Sequence, residues 1–472
     1  MSQHWPLSQE ANKESGICSV CRATRQLHIK DGTVHKHGPR DNPCSGSNKL
    51  PLAVSDATLS GDPIPSAQPD SSVSVFSLSA IQSPIAASPG PVWSPISFAL
   101  VRHIPRSARP ACATHLSKLF RSVVAHPEVA TNWLAILEWG GSILAPPIRG
   151  GKRHNFTSVI KKRVSDFSYN GSNTVKHARD GALKSHSKSH AFSLAQAVAA
   201  KLEDGNLRAA IRLLNSDDTP ATPSEENLRI LQDKHPLASG TCVDLLAAAP
   251  TSCLVATDSE VRQAVLPFPA GSSGGPDGLR PQHLKELVLC RESGSDFLGD
   301  LTAFVNMVLA GSCPKEIAPY FFGGRLLALS KKSGGLRPIA IGLTLRRLVS
   351  KCASSFGSKR LASVFCPRQL GVGVAGGCDA AVHLARRFLQ NMPSDHVLVK
   401  LDFSNAFNCL HRRDMLQAIS DRLPELFHVC YSAYSQPSLL FFGSHIIESQ
   451  EGPQQGDPFG PVTFFVILFS HC

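Results

Sequence analysis

Val397-Leu398-Val399-Lys400-Leu401 is an apolar run that ends at Asp402 and continues as Phe403-Ser404-Asn405-Ala406-Phe407. Such a run reads as a buried strand delivering one carboxylate where the chain turns into a helix. It constrains the fold strongly, since a buried strand needs a sheet beside it and a core around it. Taken alone, an ordinary strand-end aspartate and a core phenylalanine account for the same residues. The flanking sequence has to decide.

The core is not spread evenly along the 472 residues, although 42% of them are apolar. A Cys/His-rich segment occupies 1–49, and 50–92 is Ser, Pro, Ala and Asp with few large apolar side chains, the composition of a disordered linker. Helical periodicity appears over 93–144, where Leu116, Leu119, Phe120 and Val123 fall on one face. Residues 145–192 carry ten Lys/Arg against two Asp and no Glu, with four His, and read as a basic flexible arm or a solvated linker. From 193 to 255 a helical lead-in follows, with two amphipathic helices around Asp204-Gly205. The main folded part spans 256–472.

Within that part, Thr257 and Glu260 have capping-box spacing, and Pro267 and Pro269 stop the helix that they start. Asp296 to Gly311 reads as a helix closed by a glycine, and Gly323 to Gly342 as a hairpin turning at Lys331-Lys332-Ser333-Gly334-Gly335. A formal Gly-x-Gly-x-x-Gly at Gly371 to Gly376 is no dinucleotide loop, because no strand convincingly precedes it in a βαβ unit.

The net charge of +12 favours polyanion partners by counterion release, though a generically soluble basic protein has the same balance. The N-terminus, MSQHWPLSQE, has no basic flank followed by an apolar core. The longest apolar run, Pro461 to Ser470, falls short of the ~20 residues of a spanning helix. Fourteen cysteines, most of them single within apolar stretches, suit a reduced intracellular protein, nuclear or cytoplasmic, with no membrane partner.

Four blocks recur around Asp402 in order: Ser273-Gly274-Gly275-Pro276-Asp277-Gly278-Leu279, Lys331 to Ile339 with Leu336-Arg337-Pro338, Lys400 to Phe407, and Glu451-Gly452-Pro453-Gln454-Gln455-Gly456-Asp457-Pro458. Together they resemble the reverse-transcriptase domain of non-LTR (LINE-like) retrotransposons, from about Ala256 to Cys472. The resemblance implies an α+β right-hand polymerase, here fingers and a partial palm. It implies an RNA template, a DNA primer and deoxynucleotide triphosphates, joined by two-metal nucleotidyl transfer with Mg²⁺ or Mn²⁺. Carried over, Asp402 is the first metal-binding aspartate, with the Phe403 carbonyl a second oxygen. Phe407 is the ring beside the sugar that disfavours a 2′-hydroxyl. Arg337 and a lysine of the Lys331–Lys332 pair hold the triphosphate, as fork and point charge. Gln455 and Gly456 lie against nucleotide and template base, and Gln369 to Cys378 resembles a template-contacting segment.

The family pattern continues into a hairpin with paired aspartates and then a thumb. This sequence reaches Phe469-Ser470-His471-Cys472 before either. The expectation is therefore no polymerisation by the chain alone, with apolar surface bare along Val397 to Leu401 and Phe459 to Phe469. A non-catalytic nucleic-acid-binding remnant of a mobile element is the alternative. Near the N-terminus, Cys18, Cys21, His37 and Cys44, with His35 to spare, suit a tetrahedral Zn²⁺ knuckle.

Overall fold

A computed structural model of the chain describes residues 100–146, 155–168, 190–216, 218–292, 296–331 and 334–468, preceded by two short strands, β1 (Ser15–Ile17) and β2 (Thr24–Gln26). These pair antiparallel with Gly16 opposite Arg25, inside a unit spanning Met1–Ser83. Cys18, Cys21, His37 and Cys44 lie outside the described residues, as does all of 50–92. The second unit, Pro84–Cys472, is mixed α and β.

Helix α1 (Arg109–Ala125) presents Cys112, Leu116, Phe120 and Val123 at helical spacing, all fully buried or nearly so. Helix α2 (Ala130–Leu144) adds Trp133 and Trp139, and α3 (Phe156–Asp166) buries Ile160 against the same core. The basic 145–192 stretch thus contains a docked helix. Its entry is fixed by Asn155, whose side chain accepts the Thr157 N–H. Ile160 is the one fully buried side chain of this helix, with Phe156 and Val164 only partly buried beside it, and among Lys161, Lys162 and Arg163 that left too faint a period to read. Helices α4 (His190–Glu203) and α5 (Leu207–Asn215) turn at Gly205, φ +73°, as the Asp-Gly step suggested.

Strand β3 (Thr219–Pro220) and helix α6 (Glu225–Asp233) follow, then α7 (Asp258–Val265), α8 (Pro281–Val288), α9 (Phe297–Leu309) and α10 (Ala318–Phe321). Thr257 and Glu260 form the anticipated capping box of α7. Asp296 caps α9, and the chain leaves that helix at Gly311, φ +77°. Phe120 and Trp133 meet Phe304 of α9 with ring centroids 5.0 and 5.6 Å apart, and Trp133 meets Phe321 of α10 at 5.4 Å. The early helices therefore share one core with residues far downstream.

Strands β4 (Gly324–Ser330) and β5 (Leu336–Gly342) form the expected hairpin, with Leu329 opposite Arg337 and Leu326 opposite Ala340. The remaining elements are α11 (Thr344–Phe365), α12 (Gly377–Gln390), α13 (Arg412–Arg422), α14 (Phe427–Tyr434), β6 (Ser438–Phe442), β7 (His445–Ser449) and α15 (Gly460–Leu468). β4 pairs with β5 along its length, with β6 in parallel at Gly324 and Arg325, and with β3 at its far end. β5 is consequently an edge strand. Leu228 and Leu231 of α6 cover one face of the sheet over Leu326, Ala340 and Leu440.

Three expectations are corrected. Residues 397–401 form no strand: Val397, Val399 and Leu401 are 80, 69 and 75% exposed, and none of the described strands pairs with them. Without a ladder partner an extended apolar segment gains neither hydrogen bonds nor burial. Nor does the chain pass directly into a helix after Asp402; it makes a turn and one 3-10 turn, Ala406–Cys409. Conversely, the stretch from Phe459 is not bare. Phe459, Val462 and Val466 are buried in the main core.

Candidate nucleotide and nucleic-acid site

The hairpin turn carries Lys331, whose N–H donates to the Gly335 carbonyl at 3.0 Å and whose own carbonyl accepts from Gly334 at 3.1 Å. Gly334 and Gly335 supply φ values of +84° and +80°, which this tight reversal needs. Lys331 is exposed there, and Lys332 lies outside the described residues. Arg337 points from β5 into solvent and pairs with Asp218 at 3.3 Å. Asp218 precedes β3 and was not legible as its partner, since the contact depends on β3 joining β4.

The glutamine loop lies along the free edge of β5. Ala340 donates its N–H to the Gln455 carbonyl at 2.8 Å. Gly456 follows at φ +118°, and a Cβ there would come within 2.4 Å of the Ala340 carbonyl oxygen. Only glycine fits so close to the strand. The two glutamines divide the work. Gln455 is partly exposed, whereas Gln454 is 3% exposed and donates to the Phe322 carbonyl at 2.9 Å and to Ser438 Oγ at 2.8 Å.

Beneath the loop sits a buried ion pair. Arg346 donates to Asp457 Oδ2 at 2.6 Å, to Gln454 Oε1 and to the carbonyls of Phe322 and Gly323. Asp457 also accepts from Tyr434 Oη at 3.0 Å and from the Phe459 N–H at 3.0 Å. Burial alone would raise the Asp457 pKa, but Arg346 and these donors hold it below the usual carboxylate range. Burial, with Asp457 alongside, pushes the Tyr434 phenol well up.

Phe407 is half-buried. Its ring stacks on Phe464 with centroids 5.3 Å apart, and Gly460 lies against the ring edge. Gly452, φ +57°, packs so tightly that a Cβ would fall 1.8 Å from the Phe407 carbonyl oxygen. The Asp402 block and the glutamine loop are thus in direct contact through Phe407. Asn405 and Asn408 anchor this turn, each donating its side-chain N–H to the Lys234 carbonyl at 2.9 Å. Asn405 takes φ +52°, a conformation that asparagine tolerates better than most residues. On the other flank, Glu451 accepts from the Ser239 N–H and Oγ and from the Arg412 N–H at 2.7–2.8 Å. Burial opposes ionisation of Glu451, but these hydrogen bonds hold its pKa low.

Asp402 itself is exposed on the irregular segment before Asn405, with Phe403 59% exposed beside it. Mg²⁺ keeps several waters and takes one or two carboxylates plus phosphates, so Asp402 can serve as one ligand. Among the described residues no three His, Cys, Asp or Glu side chains gather as a metal-holding group. Asp457, in the glutamine-loop block, is paired with Arg346. Gln369 is turned into its own loop, its Oε1 accepting the Val372 N–H at 2.8 Å and that of Gly371. After it, α12 is exposed throughout except at Gly377. Among the described residues no helix is long and apolar enough to cross a membrane.

Sequence reasoning missed Arg346, Gln454, Asn405, Asn408 and Asp218. The paired glutamines and the two asparagines around Phe407 were visible, but which of them turned inward was not. No protein-family model matches the chain, and no curated protein matches it.

Proposed function

We propose that this chain is a reverse-transcriptase-like module of a mobile element, with a nucleotide site along the edge of β5. The reading is carried by one observation: the Gln455 carbonyl is bonded to Ala340, three residues from Arg337, while Phe407 packs against the base of the same loop. Blocks separated by more than a hundred residues thus meet along one sheet edge. Arg337 and a lysine of the Lys331–Lys332 pair take the triphosphate, Gln455 and Gly456 face the base, Phe407 stands by the sugar, and Asp402 with the Phe403 carbonyl contributes to Mg²⁺ or Mn²⁺. An RNA template and a DNA primer are the nucleic-acid partners, and the N-terminal Cys18, Cys21, His37 and Cys44 hold Zn²⁺.

Binding without copying is favoured by the exposure of Asp402 on an irregular segment. In-line attack by a primer hydroxyl needs its developing charge neutralised. A fluorescent deoxynucleotide triphosphate titrated onto the full chain with Mg²⁺ tests the site. Arg337→Ala should weaken binding severalfold, and equal affinity would sink the reading. Primer extension with Mg²⁺ or Mn²⁺ should give no product. Synthesis that disappears in Asp402→Ala would restore the enzyme.

A further inference from the structure

Away from the glutamine loop, three cations converge on one aromatic residue. Phe268 sits in the turn between Pro267 and Pro269 and is 4% exposed. The Lys351 ammonium stands 4.4 Å and the Arg347 guanidinium 5.1 Å from its ring centroid. The Lys285 ammonium donates to its backbone carbonyl. Among the described residues none of the three makes an ion pair with a carboxylate. Arg347 donates to the Ser273 carbonyl at 2.8 Å, while Asp277 and Asp457 act on it only from beyond ion-pair distance. Desolvation, then Arg347 and Lys285, hold the Lys351 pKa below its ordinary value. Cation–π contact offsets part of that repulsion but leaves net positive charge in a half-buried place.

Lys351 also lines a cleft of about 270 Å³ between α7 and α11, together with Glu260, Gln263, Ser355 and Lys359. Arg347, Lys351, Ser355 and Lys359 follow one another every four residues, so they fall on one helix face, about 6 Å apart along the axis. Glu260 is near enough for Lys359 to lower its pKa, but both the Thr257 N–H and the Thr257 hydroxyl already bond to its carboxylate.

We propose that this face of α11, with Phe268 and Lys285 at its head, binds the phosphodiester backbone of a single-stranded nucleic acid. A row of donors at regular spacing, with Glu260 as the carboxylate beside it and no ion pair closed among the described residues, suits a chain of phosphates better than one anion. The inference does not depend on the role given to Asp402 or Arg337.

The test is fluorescence anisotropy of a labelled single-stranded oligonucleotide on the full chain at several salt concentrations. The double variant Lys351→Gln/Lys359→Gln should bind more weakly, and the slope of log affinity against log salt should fall by about 1.4, at about 0.7 per charge for single strands. Lys351→Arg/Lys359→Arg keeps the charges and should keep the slope. Arg208→Gln/Arg212→Gln removes the same charge from exposed positions on α5 and should leave it unchanged. An unaltered slope in the glutamine variant, or an equal loss in the arginine variant, overturns the proposal. So does full displacement by tripolyphosphate at matched phosphate concentration, which would mark a site for a free polyphosphate. Nucleotide binding through Arg337 is read separately, so either site can fail while the other stands.

Discussion

Arg346 Nη2 lies 2.6 Å from Asp457 Oδ2, with the two side chains 3% and 4% exposed. The pair joins the start of α11 to the glutamine loop, and Gln454 and Tyr434 complete its shell. Removing one partner strands a charge in the core. Asp457→Ala should destabilise the chain by about 3–5 kcal/mol in urea unfolding. A loss below 1 kcal/mol would mean that water reaches Arg346.

Gly456→Ala sets a side chain against the Ala340 carbonyl at a φ that only glycine adopts freely. The loop has to leave the β5 edge, at about 1–3 kcal/mol. Triphosphate affinity should fall with it, whereas oligonucleotide affinity on α11 should not. Parallel titrations with the two probes check this.

Arg337 is held by Asp218 in a partly exposed pair, which is worth little to stability. Asp218→Ala frees the guanidinium for an incoming triphosphate. Affinity should rise roughly two- to fivefold with the melting temperature almost unmoved. Weaker binding would place Asp218 on the ligand side of the site.

Asp277, fully buried in the Gly-Pro-Asp-Gly block, has its pKa raised by burial from 3.8 to about 7, against the Leu279 N–H that bonds to it. The folded state therefore keeps this proton where the unfolded chain has lost it. Its contribution is complete below about pH 4 and is lost as pH rises through 7, about 4 kcal/mol at most. Asp277→Asn keeps the acceptor and removes the titration. The variant should exceed the parent in urea midpoint at pH 8 and match it at pH 4. Equal midpoints at both pH values would refute the burial argument.

Trp133→Ala opens a cavity against Phe304 and Phe321 and should cost about 3–5 kcal/mol. Circular dichroism should show one cooperative transition for α1, α2 and the sheet together. Two separated transitions would mean that 109–144 folds by itself.

Local chemistry was legible in the sequence wherever it acts within a few residues. The Thr257–Glu260 box, the Asp204-Gly205 turn and the β4–β5 hairpin each depend on near neighbours. The blocks around Phe407 and the glutamine loop were legible as units, and they do touch. Val397 to Leu401 misled because an apolar run describes what a segment could bury, not whether a partner exists. The aspartate that Arg337 pairs with and the inward turn of Gln454 depend on contacts across more than a hundred residues, and no local pattern encodes them.

The loop on β5 has a second consequence. An uncovered edge strand offers its amides and carbonyls to any other chain, so by taking the Ala340 N–H the Gln455 carbonyl also shields the sheet from intermolecular strand addition. A ligand that lifts the loop would expose that edge. Self-association rising with occupancy of the nucleotide site would be the macroscopic sign.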